Sequence, residues 1–190
     1  MKTVSVMIVG VGGQGSLLAS KLLGRLLVDE GYDVKVSEVH GMSQRGGSVV
    51  TYVRFGNKVY SPIITDGEAD IIISFEKLEA GRYASYLKKD GKIVVNTQQI
   101  DPMPVIIGAA QYPENVLDEL REKGVSVDAL DALPLAEQAG SSKAVNIVLM
   151  GKAAKYFDIP YESWITAIEN TVAPKFIEMN KKAFELGYNS

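Results

Sequence analysis

Cysteine is absent from this chain. Without it there is no disulfide, no thiolate nucleophile and no ligand set for an iron–sulfur cluster. Histidine is almost absent too: His40 is the only one, so a zinc site of His and Cys ligands cannot be built from this chain alone. No metal site is expected here. A basic excess is also missing, because 20 Lys and Arg face 23 Asp and Glu, with a net charge of -3 and a pI near 5.3. Nothing is left over to neutralise phosphates, and nucleic acid is not an expected partner. Apolar runs are short, as in Ile71-Ile72-Ile73, far below the roughly 20 residues that cross a bilayer. Met1-Lys2-Thr3-Val4 leads straight into a strand pattern rather than a signal peptide, so no membrane and a cytoplasmic location are expected. These absences exclude much autonomous redox chemistry and point to a borrowed cofactor.

What is present is ordinary globular material. The 190 residues are 46% hydrophobic and 23% charged, which suits one domain, 1–190, with a substantial core. Val4 to Val9 is a β-rich run that ends at a glycine cluster. Ser16 to about Glu30 then turns helical, with Leu18, Leu22 and Leu26 on one stripe and Gly31 at its close. Val34 to Glu38 is a second strand, completing a βαβ unit. Residues 39–48 form a loop. Val49–Phe55 and Lys58–Tyr60 around Gly56-Asn57 predict a β-hairpin and hence a mixed sheet. Strands follow at Ala69–Ser74 and Lys92–Asn96, with a helix over Leu78–Leu87 between them. Val105–Ile107 reads as a strand or buried extended segment, Pro113–Lys123 as a helix and Val125–Ala129 as an edge strand. From Leu133 the chain is helical. The expected fold is α/β: a Rossmann-like, three-layer, open, mostly parallel sheet with a hairpin insertion and a helical C-terminal third.

Gly10-Val11-Gly12-Gly13-Gln14-Gly15 fits the pattern G-x-G-x-x-G between a strand and a helix. Glycines allow a tight turn and close approach of backbone to ligand, and the helix N-terminus offers free N–H groups to an anion. Glu38, at the end of the second strand, stands where a ribose-binding acid would. Two readings stay open: a dinucleotide or other phosphate-bearing ligand, or a loop whose glycines serve packing and an interface.

The second glycine stretch is Gly41-Met42-Ser43-Gln44-Arg45-Gly46-Gly47-Ser48. Arg45 supplies a planar cation for a carboxylate or phosphate. Gly46 and Gly47 let the backbone pass close to another surface, while Ser43 and Gln44 add neutral hydrogen-bonding groups. His40 beside this loop is either a proton-transfer group or a local hydrogen-bonding one. Glu76 follows a strand end, where ligands of open α/β sheets gather. Glu79 and Arg82 have the spacing of a surface pair. Asn146 lies among apolar residues, either bonded to a glycine loop or exposed.

Together Gly10–Gly15, His40–Ser48 and Ser74-Phe75-Glu76-Lys77-Leu78-Glu79-Ala80 resemble the gamma family of 2-oxoacid:ferredoxin oxidoreductases, and residues 41–47 resemble its arylpyruvate (indolepyruvate) branch. The resemblance extends to Ser142, Asn146 and Gly151 of a late helix. It implies a small subunit, inactive alone. A larger partner would hold thiamine diphosphate, a divalent metal and 4Fe-4S clusters, with coenzyme A as co-substrate and ferredoxin as electron acceptor. It further implies that the 41–48 loop faces the partner's cofactor pocket. The rival expectations are a self-contained NAD(P)- or flavin-dependent oxidoreductase and a non-catalytic nucleotide-binding module.

Overall fold

The computed structural model describes residues 2–41 and 46–190. Its first strand, β1 (Val4–Val11), is buried along almost its whole length. Val6 and Ile8 face one core cluster while Met7 and Val9 face the other, the two-residue period of a strand covered on both sides. Helix α1 (Ser16–Asp29) buries Ala19, Leu22, Leu23, Leu26 and Leu27 on a single stripe. Gly31 ends it in the left-handed conformation at φ 84°, and the Tyr32 amide donates back to the Leu27 carbonyl.

β2 (Asp33–His40) and β3 (Ser48–Gly56) then pair antiparallel. Next come β4 (Ala69–Ser74), α2 (Lys77–Arg82), β5 (Leu87–Asn96), α3 (Met103–Ile106), α4 (Val116–Glu122) and β6 (Ser126–Leu130). The strand order is β2-β3-β1-β4-β5-β6. β1, β4, β5 and β6 are mutually parallel, and β3 runs against both of its neighbours. One face of the sheet carries α1 with α5 (Ala132–Ala139), α6 (Val145–Ala154), α7 (Tyr161–Thr171) and α8 (Ile177–Tyr188); the other carries α2 and α4. The three-layer mixed sheet with a helical C-terminal third is therefore present.

The antiparallel pairing is made differently from the hairpin expected at 49–55 and 58–60. β3 already has β1 on one side and β2 on the other, so no edge remains for Lys58–Tyr60. The Val59 amide instead donates to Asp33 at 2.9 Å. The helix expected to reach Leu87 stops at Arg82, and β5 begins at Leu87, incorporating Asp90-Gly91 around an irregularity in its pairing with β4. Val105–Ile107 is neither strand nor buried: it belongs to a short helical turn whose Ile106 and Ile107 are two-thirds exposed.

In the helical layer α6 and α8 touch backbone to backbone. A Cβ on Gly151 would collide with the Phe184 carbonyl, and one on Gly187 with the Val148 carbonyl. Beside them Trp164, fully buried, lies edge-on to Phe157 at 5.4 Å and stacked on Phe184 at 5.5 Å. This packing fixes α6, which carries Asn146 to the site.

Candidate functional site

The two glycine motifs, far apart in the chain, meet. Because β2 runs in the same direction as β1, the turn after β2 and the turn after β1 lie at the same end of the sheet. The Gly12 amide donates to the Gly47 carbonyl at 2.8 Å, and the Gly46 amide approaches the Gly12 carbonyl at 3.4 Å. These bonds continue the β1–β3 ladder beyond Val11 and Ser48. Met42, Ser43, Gln44 and Arg45, the centre of the second motif, lie outside the described residues. Their C-terminal flank, Gly46-Gly47, stands beside the first motif.

Within the first motif, Gly13 and Gly15 have φ of 104° and 85°, a region that side chains disfavour. A Cβ on Gly15 would meet Asn146 Nδ2 at 2.5 Å, and one on Gly10 would meet Gln14 Oε1 at 2.9 Å and Phe75 at 3.0 Å. Asn146 is buried, and its Nδ2 donates to the Gly15 carbonyl at 3.2 Å. Of its two expected placements, the glycine-loop one is realised.

Gln14 is the residue the glycine pattern hides. Its Oε1 accepts from the Val11 amide at 2.8 Å, and its Nε2 donates to the Phe75 carbonyl and Gln98 Oε1, both at 3.0 Å. The same Phe75 carbonyl accepts from Asn96 Nδ2, while Asn96 Oδ1 accepts from the Ala132 amide. Gln14 thus fills the crevice between the ends of β1 and β4, the position where α1 and α2 depart to opposite faces and where open sheets usually take their ligand. In addition, β3 stands between β1 and β2. Glu38 is therefore two strand spacings from β1, roughly 10 Å, rather than the single spacing a dinucleotide fold uses. Both features disfavour the NAD reading.

Glu76 is 1% exposed and fully engaged. Oε2 accepts from the Glu79 amide at 3.0 Å, capping α2; Oε1 accepts from the Ile100 amide at 3.2 Å and from the Tyr112 hydroxyl. Burial and the Glu76 hydrogen bond push the Tyr112 hydroxyl well above its usual range. Glu79 is not the surface partner its spacing suggests. It is buried, accepts from Ser48 Oγ, and pairs with Arg82 at 3.2 Å. Burial raises its carboxyl above the ordinary 4.5, with the Ser48 bond and the Arg82 guanidinium pulling the other way. Ser48 Oγ also meets the Tyr83 hydroxyl at 3.1 Å. The second glycine loop is therefore anchored where it enters β3. Gln98 and Asn96 carried no site signal in the sequence, since each is a common polar residue at an unremarkable spacing; Ser48 and Glu79 stood in the motifs, but nothing in them announced their bond to each other.

Two grooves flank the first motif. One, of about 420 Å³, has Gly13, Ser16, Glu38 and His40 on its walls; the other, of about 630 Å³, has Gln98, Ile100, Leu133, Ser142 and Lys143. His40 is exposed, with Nδ1 3.1 Å from the Gly41 carbonyl. Among the described residues no three His, Asp or Glu side chains converge as a metal site does. No helix is long and apolar enough to cross a membrane among the described residues.

An open mixed α/β sheet that gathers its loops at the carboxyl ends of the strands is a fold shared with solved structures. The chain superposes on the pyruvate oxidoreductase subunit PORC from Thermotoga maritima with a TM-score of 0.77, at 21% identity, over 100% of this chain and 97% of that one. It superposes on 2-oxoglutarate:ferredoxin oxidoreductase from Magnetococcus marinus with a TM-score of 0.75, at 16% identity, over 100% of this chain but 31% of that one. The model of the pyruvate ferredoxin/flavodoxin oxidoreductase family matches residues 5–190. The chain belongs to that family and is one of its small, gamma-type subunits. It is 45% identical to the indolepyruvate oxidoreductase subunit IorB of Thermococcus kodakarensis, over 98% of this chain and 95% of that protein.

Proposed function

We propose that residues 1–190 act as one unit, the small cytoplasmic subunit of a ferredoxin-dependent arylpyruvate (indolepyruvate) oxidoreductase. The overall reaction takes a 2-oxoacid, coenzyme A and two oxidised ferredoxins to acyl-CoA, carbon dioxide, a proton and two reduced ferredoxins. Thiamine diphosphate with its divalent metal supplies the carbon–carbon bond cleavage, and 4Fe-4S clusters carry the electrons, all on the larger subunit. This chain has no cysteine to hold a cluster. Neither nucleic acid nor a membrane takes part.

The observation that carries the reading is the Gly12–Gly47 bond. It joins Gly12 of the first motif to Gly47 of the second at one rim of the sheet, which supports a surface facing the partner. Arg45 of the second motif holds an anionic group of oxoacid, cofactor or coenzyme A through charge-assisted bonds. Gln14, Asn146 and Glu79 act one step back: Gln14 and Asn146 hold the first loop, and Glu79 holds Ser48 at the end of the second. His40, exposed in the groove beside Gly13 and Glu38, is the candidate proton-transfer group of this rim.

Arg45→Ala in the assembled enzyme tests this role. An increase of about tenfold or more in KM for the oxoacid or for coenzyme A is expected. Unchanged turnover and unchanged KM for both would make the loop scaffolding.

A further inference from the structure

The groove of about 630 Å³ beside the first glycine motif has two sides of different origin. One is the motif itself. The other includes Gln98 and Ile100, from the stretch that leaves β5 and belongs to no helix or strand. Such a stretch has no ladder of its own, so its amides and carbonyls are satisfied by neighbouring elements. The start of α2 does this here. The Lys77 amide donates to the Gln98 carbonyl at 3.1 Å, and the Ile100 amide donates to Glu76 Oε1 at 3.2 Å.

Glu76 is itself fixed from behind. The Tyr112 hydroxyl donates to the same Oε1 and accepts from the Leu78 amide at 3.1 Å, bridging the carboxylate and the backbone of α2. With the Glu79 amide on Oε2, the buried carboxylate is held at both oxygens, and bonds to a charged acceptor are the strong ones. Lys77 Nζ lies 5.4 Å from the centre of the Tyr112 ring and donates to Gln99 Oε1 at 3.4 Å. Tyr112 is not on the groove's walls: it borders a separate hollow with Asp101 and Glu114. One turn further along α2, Glu79 holds Ser48 at the end of the second motif. A single short helix thus ties down the Gln98–Ile100 wall and the second loop.

We infer that Tyr112 and Glu76 are positioning residues for the ligand of this groove, setting the Gln98–Ile100 wall against the first glycine motif. The inference rests on the subunit role proposed above. Among the described residues Lys143 is the one charged side chain on the walls, and Ile100 and Leu133 add apolar surface. An anion with an apolar part fits that lining, and both the oxoacid and coenzyme A have this chemistry. Because Tyr112 stands outside the groove and acts through Glu76, its hydroxyl bears on binding rather than on the chemical step.

The test uses the assembled enzyme, this chain mixed with its larger subunit, as wild type, Tyr112→Phe, Glu76→Gln and the control Leu120→Ala. Tyr112→Phe keeps the ring and removes the bond to Glu76. Leu120 is buried in α4, on the same face of the sheet, and its side chain makes none of these bonds. Melting temperature, kcat and KM for the oxoacid and for coenzyme A are measured for each form. Both site variants should raise at least one KM about three- to tenfold, the size of a lost hydrogen bond, with kcat within about twofold of wild type. The KM that moves identifies the occupant of the groove. Leu120→Ala should lower the melting temperature and leave both KM values unchanged. Unchanged KM in either site variant, an equal rise in the control, or a fall in kcat at constant KM would overturn the positioning role and leave the subunit role standing. No turnover from the wild-type mixture would overturn both.

Discussion

Gly12 donates its amide hydrogen to the carbonyl of Gly47 at 2.8 Å. That bond makes one rim out of two loops, the first opening α1 and the second turning β2 into β3. It also explains why the first loop serves poorly as a dinucleotide site. β3 has entered the sheet where the second strand of a dinucleotide fold would lie, and Gln14 fills the crevice left beside β4.

The glycines at 13 and 15 should differ in their tolerance of alanine. Both have positive φ, costing about 1–3 kcal/mol for a non-glycine residue. Only Gly15 adds a collision, with Asn146 Nδ2 at 2.5 Å; a Cβ on Gly13 meets nothing within 4 Å. Gly15→Ala should therefore lower the melting temperature more than Gly13→Ala, by a further ~2–4 °C for each kcal/mol. Thermal unfolding followed by circular dichroism reads the difference, and equal losses would contradict the contact with Asn146.

Gln14→Ala removes one acceptor and two donor bonds and leaves the Val11 amide without its partner. A loss of about 2–3 kcal/mol in urea unfolding is expected. Emptying the crevice should not create nicotinamide binding, because Glu38 stays two strands away. A variant as stable as the wild type would mean that Gln14 does not hold the loop.

The pH dependence follows from Glu79. Its carboxyl is raised by burial, so between the ordinary 4.5 and its native value the folded chain binds more protons than the unfolded one. Stability from this group is fully present below 4.5 and falls as pH rises through the native value. Glu79→Gln keeps a side chain able to bond Ser48 and removes the titration. Measured from pH 4 upward, wild-type stability should fall relative to the variant and then level off. Parallel profiles would contradict a raised carboxyl.

Gly187→Ala forces apart the backbones of α6 and α8, because the new methyl would overlap the Val148 carbonyl. A loss of about 3 kcal/mol or more is expected, seen as a drop of roughly 6–12 °C in melting temperature. A drop below ~2 °C would mean that the two helices are not in backbone contact.

Much of the fold was legible because β1, α1 and the parallel strands follow simple periods: Val6 to Val9 alternate between two cores, and Leu22, Leu23 and Leu26 share one face. Strand order was not. Nothing in Val49–Phe55 says that it inserts between β1 and β2, since that choice depends on which edge is free once the sheet assembles. Val105–Ile107 was misread because three apolar residues in a row normally seek the core; here they stand outward on the turn of α3. At the site, both glycine motifs were visible by composition. Their anchors were not, because a buried Glu79 and a surface Glu79 have the same i, i+3 spacing to Arg82. Nor does Glu76, placed correctly at a strand end, announce that its carboxylate is consumed by Glu79, Ile100 and Tyr112.

The most direct test of the subunit role is viologen reduction driven by indolepyruvate and coenzyme A. It is measured for this chain alone, for the larger iron–sulfur subunit alone, and for the two mixed. A colourless chain with no activity by itself, giving turnover only in the mixture, is the expected result. Full activity from the larger subunit without this chain, or nicotinamide-dependent turnover by this chain alone, would contradict it.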